Sequence, residues 1–172
     1  MRRFSSRAQG WDPQPTAPCQ VLLAADGRRG FSQASVDEAV RRAAGGLIAV
    51  VTIARIHGTS FGLPNPGLLP TRKELEERYE WVGGAVSAVT ARGGSADGQV
   101  VVTRRITHAL AKVARARGAD TIVIDETPHR GVRRFIEGDV GAELTRKLKG
   151  AGIGVVIVPA PRAPTEPNPA RR

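Results

Sequence analysis

Apolar residues along this chain fall either in short unbroken runs or in segments where they return every three or four positions. The first run, Cys19 to Ala25, contains Val21, Leu22 and Leu23 and stops at the turn pair Asp26-Gly27. An unbroken run of this length predicts a strand covered on both faces, because a half-exposed strand would alternate apolar with polar residues. From Ser32 the positions Val36, Val40 and Ala43 keep helical spacing. Asp37, Glu38, Arg41 and Arg42 turn outward there, and Gly45-Gly46 ends the segment. Leu47 to Ala54 is a second strand-like run.

Between Arg55 and Pro70 the chain carries several glycines and the prolines 64, 66 and 70, a long connection for a compact domain and one expected to act as a lid. Thr71 is a plausible N-cap with Glu74 three residues on, and Leu75, Tyr79, Val82, Val86 and Val89 then form one helical stripe, weakened in its middle by Gly83-Gly84. Tyr79 and Trp81 read as packing residues. Gln99 to Val102 predicts strand three, and Ile106 to Arg117 a helix with Ile106, Leu110, Val113 and Ala114 inward. Its outer residues Arg105, Lys112 and Arg115 are all basic. They read as a solvated face, since no aromatic residue is interleaved for base stacking. Thr121 to Ile124 is strand four, Val140, Leu144 and Leu148 mark a helix starting near Gly138, and Gly154 to Pro159 is strand five. Strands alternating with helices predict a single three-layer α/β domain, doubly wound around a five-stranded parallel sheet.

Composition narrows the picture. A chain of 172 residues suffices to bury a core without cross-links, and the single cysteine, Cys19, excludes an intrachain disulfide and reads as a small core hydrophobe. Residues 1–18, interrupted by Pro13, Pro15 and Pro18, and the proline-rich tail 160–172 are expected to be disordered. No apolar stretch is long enough for a membrane span, and the expected location is soluble and intracellular, with no membrane partner. The formal charge of +10 is compatible with nucleic acid, anionic lipid or phosphorylated small molecules, and charge alone does not choose among them. Part of it resides in the ends, on Arg2, Arg3, Arg7, Arg162, Arg171 and Arg172. His57, His108 and His129 lie on separate elements without metal-ligand spacing, so no metal is expected. No nucleophile, base and orienting group form a recognisable set.

Ligands of open α/β sheets bind beyond the carboxyl ends of the strands, where strand order reverses. Here those ends are Asp26-Gly27 and the segment from Asp125 to Asp139. The latter leads into a helix N-terminus, which favours phosphate, and it carries Arg130, Arg133 and Arg134 together with Gly131 and Gly138. Turn punctuation explains those two glycines equally well.

These residues resemble the universal stress protein family over about residues 19 to 159. The likeness rests on the VLLAADG strand end, the start Ser32-x-x-Ser35-Val36-x-x-Ala39, and Gly118-Ala119-Asp120-x-Ile122-Val123-Ile124. It continues through Gly131-Val132-Arg133-Arg134-Phe135-Ile136-Glu137-Gly138-Asp139-Val140 to Val155-Val156-Ile157-Val158-Pro159. The resemblance implies sheet order 3-2-1-4-5, a homodimer formed through the last strand, and a cytoplasmic role in stress survival. Some members bind ATP and others do not.

The ATP-binding members carry G-x-x-G, nine further residues and then G-[ST], directly after strand four. Those positions are Asp125, Pro128, Gly138 and Asp139 here, so only the third glycine matches. Pro128 removes an amide donor, and Asp139 puts an anion where the pattern has a hydroxyl. ATP or another adenine nucleotide is therefore disfavoured as a cofactor. Two further pieces of the family site are Asp26, like the strand-one aspartate near the nucleoside, and Ile53, near the strand-two position that contacts adenine. Their plain readings are a turn-forming Asp-Gly and a buried strand residue. The candidate set is Asp26, Ile53, Arg130, Gly131, Gly138, Asp139 and Val140, a degenerate nucleotide site open to a different anionic ligand. The expected function is a non-catalytic regulatory or binding module of stress-response type. A protein with slow ATP hydrolysis and a basic adaptor touching RNA or the ribosome are the alternatives.

Overall fold

A computed structural model of the chain describes residues 15–56, 69–126 and 139–159. In chain order the elements are β1 (Val21–Ala25), α1 (Gln33–Ala43), β2 (Leu47–Arg55), α2 (Arg72–Ala91) and β3 (Ser95–Thr103). They continue with α3 (Ile106–Ala116), β4 (Thr121–Asp125), α4 (Val140–Leu148) and β5 (Gly154–Val158). The strands form one parallel sheet in the order β3-β2-β1-β4-β5. The expected sheet and its order are both present. Residues 57–68 of the predicted lid, Pro64 and Pro66 among them, and residues 127–138 lie outside the described residues, as do residues 1–14 and 160–172.

Alternate residues of the central strands enter two separate cores. Leu22, Ala24, Val51, Ile53, Ile122 and Ile124 meet Leu110 and Ala114 of α3 and Leu144 and Leu148 of α4. Val21, Leu23, Ile48, Val50 and Val123 meet Val36 and Ala39 of α1 and Val82, Ala85 and Val89 of α2. Two-sided burial accounts for the unbroken apolar runs.

The helices start where their capping residues lie. Ser32 accepts from Ser35 N, and Thr71 with Glu74 makes a reciprocal capping box. The pair Gly83-Gly84 does not interrupt α2, whose burial of Val82, Ala85 and Val89 offsets the roughly 1 kcal/mol that each glycine costs relative to alanine. Tyr79 departs from its expected packing role and is 60% exposed. The buried face of α2 is turned toward Ala85 and Trp81. Trp81 lies against Gly30, where a Cβ would come within 3.3 Å of the indole, and Arg78 stacks 4.0 Å from the ring centroid.

Strand β3 starts four residues earlier than its apolar run, at Ser95 rather than Gln99, and pairs with β2 from Leu47↔Ser95 to Arg55↔Thr103. Tertiary contacts override the weak strand propensity of Ser95-Ala96-Asp97-Gly98. At Gly98 an added Cβ would lie 2.2 Å from Val82 Cγ1, so only glycine admits α2 this closely. Asp97 is held by the buried Arg117, whose Nη1 and Nη2 each donate to a carboxylate oxygen at 2.6 Å while Nε donates to Ala17 O at 2.7 Å. These hydrogen bonds raise the Arg117 pKa further and keep the guanidinium charged. The neighbouring Cys19 is buried, and burial pushes its thiol pKa up. Folding therefore favours the neutral thiol, and that preference destabilises the fold as pH rises above the ordinary thiol range.

Replacing Asp97→Ala would leave Arg117 buried with an uncompensated charge, a change that costs about 3 kcal/mol when one partner retains some solvent contact. Urea unfolding monitored by circular dichroism should show that loss. A variant within about 0.5 kcal/mol of the parent would show that the pair does not anchor β3.

Candidate functional site

The turn after β1 is built for close approach. Gly27 has φ +83°, and a Cβ there would lie 2.0 Å from Ile53 O at the end of β2. Ile53 itself is completely buried among α3 and α4 side chains. Asp26 is also buried; its Oδ1 accepts from Arg28 N at 3.0 Å, and Oδ2 lies 3.6 Å from Arg28 Nε. This is the turn geometry anticipated for an Asp-Gly pair.

Across the sheet from this turn, the end of β4 reaches the first turn of α1. Asp125 Oδ1 accepts from Ser32 Oγ at 2.5 Å, and Oδ2 accepts from Ser32 N at 3.0 Å. Ser35 Oγ lies 3.1 Å from the same Oδ2 and shares its proton between that oxygen and Ser32 O, 2.9 Å away. The Arg29 guanidinium also donates to Glu126 O. The positive end of the α1 dipole favours the carboxylate, and charged acceptors form the stronger class of hydrogen bond. These contacts form a clasp between the β1–α1 connection and β4, across the point where strand order reverses.

Asp139 caps α4, its Oδ1 accepting from Ala142 N at 3.2 Å, and Val140 follows as the first helical residue. The helix expected to start near Gly138 starts two residues later, at Val140. Arg130, Gly131 and Gly138 lie outside the described residues. The remaining candidates are not brought into one cradle: Asp26 turns into its own loop, Ile53 lies in the core and Asp139 closes a helix end.

A polar cleft that the structure forms was not anticipated. It measures about 460 Å³ and lies beyond the ends of β2 and β3, between the N-terminal ends of α3 and α4. Of the described candidate residues only Val140 lines it, alongside the cationic Arg55, Arg104, Arg105 and Lys147. His108 and Glu143 complete the polar wall, and Glu143 accepts from Thr107 Oγ1 at 2.7 Å. Helix α3 starts at Arg105 without a side-chain cap, so two arginines add to the positive end of its dipole. The chemistry this arrangement permits is anion binding. Among the described residues no three His, Cys, Asp or Glu side chains come together to hold a metal ion. A sequence signal existed in Arg104-Arg105 at a strand-to-helix junction, but Arg55 and Lys147 join them only through the sheet order.

No family model and no curated protein matches the sequence. Among solved structures, a universal stress protein from Archaeoglobus fulgidus aligns at TM-score 0.60 and 19% identity, over 83% of this chain and 93% of that one. The fold is that of the universal stress proteins. A universal stress protein from the same organism in complex with dAMP aligns at TM-score 0.55 and 18% identity, over 83% of this chain and 97% of that one. Another universal stress protein, in complex with cAMP, aligns at TM-score 0.58 and 20% identity, over 83% and 98%. Among the described residues no helix of this universal-stress-protein fold is long and apolar enough to cross a membrane.

The clasp should contribute measurably to stability. Hydrogen bonds to a charged acceptor are worth about 1.5–3 kcal/mol, so Asp125→Ala is expected to lower the unfolding free energy by about 2 kcal/mol or more. Asp125→Asn, which keeps an acceptor oxygen, should lose less than half of that. Equal midpoints for parent and alanine variant in denaturant titration would remove the clasp from the account.

Proposed function

We propose that this chain is a universal stress protein acting as a non-catalytic, cytoplasmic binding module, with weak or no affinity for ATP. The observation that carries this reading is Asp125. Where the ATP-binding pattern has glycine after strand four, this side chain lies at the first turn of α1 and is satisfied by Ser32 and Ser35. A phosphate entering beside it would meet a like charge, a repulsion of roughly 1 to 4 kcal/mol near 4 Å. The dAMP and cAMP complexes of structural neighbours support nucleotide chemistry for the fold, and Asp125, Pro128 and Asp139 argue against its conventional form in this chain. Binding rather than turnover fits a cleft that carries Arg55, Arg104, Arg105 and Lys147 and whose Glu143 is already engaged by Thr107.

Calorimetric titration with ATP tests this directly. The parent protein should bind no tighter than the millimolar range. The combined variant Asp125→Gly, Pro128→Gly, Asp139→Ser should bind at least about tenfold more tightly, equivalent to roughly 1.4 kcal/mol. Micromolar ATP binding by the parent would overturn the reading, and an unimproved variant would detach it from these three residues.

We further propose that two copies associate through β5. It is an edge strand of the sheet, with Val155 and Val156 partly buried and Ile157 39% exposed. An apolar edge of this kind is a template for pairing with another chain. Light scattering at tens of micromolar, on the order of ordinary assay concentrations, should report a dimer that Val156→Lys dissociates. A monomeric parent would eliminate the arrangement.

A further inference from the structure

The two helical layers of the sheet differ sharply in charge. On the α1–α2 layer, acids and bases are matched and largely paired: Glu38 with Arg41 and Arg42, Asp37 with Arg92, Glu76 with Arg72 and Glu77 with Arg78. The hydrogen bonds from Arg41 and Arg42 lower the Glu38 pKa. The α3–α4 layer is built differently. Arg104, Arg105, Lys112 and Arg115 from α3 and its N-terminal flank lie beside Arg146, Lys147 and Lys149 of α4 and its C-cap, all exposed. The carboxylates on these two helices are Asp139, used as a cap, and Glu143, bonded to Thr107. Among the described residues none of those seven cations forms an ion pair, and Arg115 donates only to Lys147 O, at 3.2 Å.

Clustering unpaired cations costs self-repulsion and brings no packing in return, since Leu110, Ala114, Leu144 and Leu148 already hold both helices to the sheet. The opposite layer shows that this chain can cover a helix pair with balanced charge. The arrangement therefore has the character of a docking face for a polyanion.

Three observations define the partner. Phe31, Tyr79 and Trp81, the described Phe, Tyr and Trp residues, all belong to the α1–α2 layer, so among the described residues the basic face offers no ring larger than the His108 imidazole for stacking unpaired bases. Neither α3 nor α4 exposes a large apolar side chain, so nothing on these helices would insert into a bilayer. The helices, 11 and 9 residues long, present a strip about 15 Å in length and two helices wide, similar to half a turn of a double helix. We infer that the α3–α4 face binds the phosphate backbone of a nucleic-acid duplex, without reading its sequence. The inference is independent of nucleotide binding and survives whether or not ATP enters the cleft.

The test uses the full chain and a labelled duplex of about 20 base pairs, followed by fluorescence anisotropy across salt concentration. Contact with three to five phosphates predicts that the logarithm of affinity falls with the logarithm of salt at a slope of about −3 to −5. One variant carries Lys112→Glu, Arg146→Glu and Lys149→Glu. Its control carries Arg41→Glu, Arg72→Glu and Lys73→Glu, the same charge change on the opposite layer. The first should lose at least about thirtyfold in affinity and the control no more than about threefold, with both shown folded by circular dichroism. Absence of binding at about 50 mM salt overturns the inference, as does equal loss in both variants, which would assign binding to net charge or to the arginines of the chain ends. Displacement by polyglutamate or by anionic vesicles as effective as by unlabelled duplex overturns it in favour of an acidic protein or a membrane surface.

Discussion

Strand β1 is buried on both faces and bonded along both edges, to β2 and β4, and the other elements are arranged around that constraint. A strand with no exposed edge or face requires a helical layer on each side, so connections must leave the sheet at its ends. The chain reverses its order of strand addition at β1, which opens a crevice between the connections that follow β1 and β4. In this protein the crevice is bridged from within. Gly27 allows the β1 turn to press on Ile53 O, and Asp125 brings β4 to the first turn of α1.

The parts legible in the sequence were those fixed by local rules. Unbroken apolar runs identified β1, β2 and β4 because two-sided burial leaves a one-dimensional signature. Ser32 and Thr71 marked helix starts because capping is a contact over three residues. The first half of β3 was hidden because its reasons are distant: Asp97 is held by Arg117, 20 residues on, and Gly98 serves the approach of Val82. Tyr79 was misplaced on the same grounds, since helical spacing fixes the width of a buried stripe but its direction depends on where Gly30 meets Trp81.

The site was less legible than the fold. Reading Asp125 as a missing glycine describes what the position has lost, whereas the structure shows the partners it has gained in Ser32 and Ser35, 93 and 90 residues earlier in the chain. Asp139 likewise changed from an intruding anion to a helix cap. Both substitutions replace an open backbone by a side chain that satisfies local donors, and a donor already occupied by a fixed carboxylate is less available to a mobile phosphate.

Charge follows the same logic on a larger scale. The excess of bases was visible in the composition, but its meaning depends on which cations share a face and which are neutralised. Arg117 is consumed by Asp97, and the arginines of α1 and α2 are consumed by neighbouring carboxylates. Apart from Lys73 of α2, the exposed and unpaired cations of the described helices lie on the α3–α4 layer, brought together from segments separated by strand β4 and its connection. A doubly wound sheet makes this separation possible, because its two layers are distinct surfaces whose charges are screened from one another over roughly a Debye length of 8–10 Å. One layer can be balanced for solubility while the other holds a concentrated positive field, so the useful quantity is the unpaired charge per face rather than the net charge of the chain.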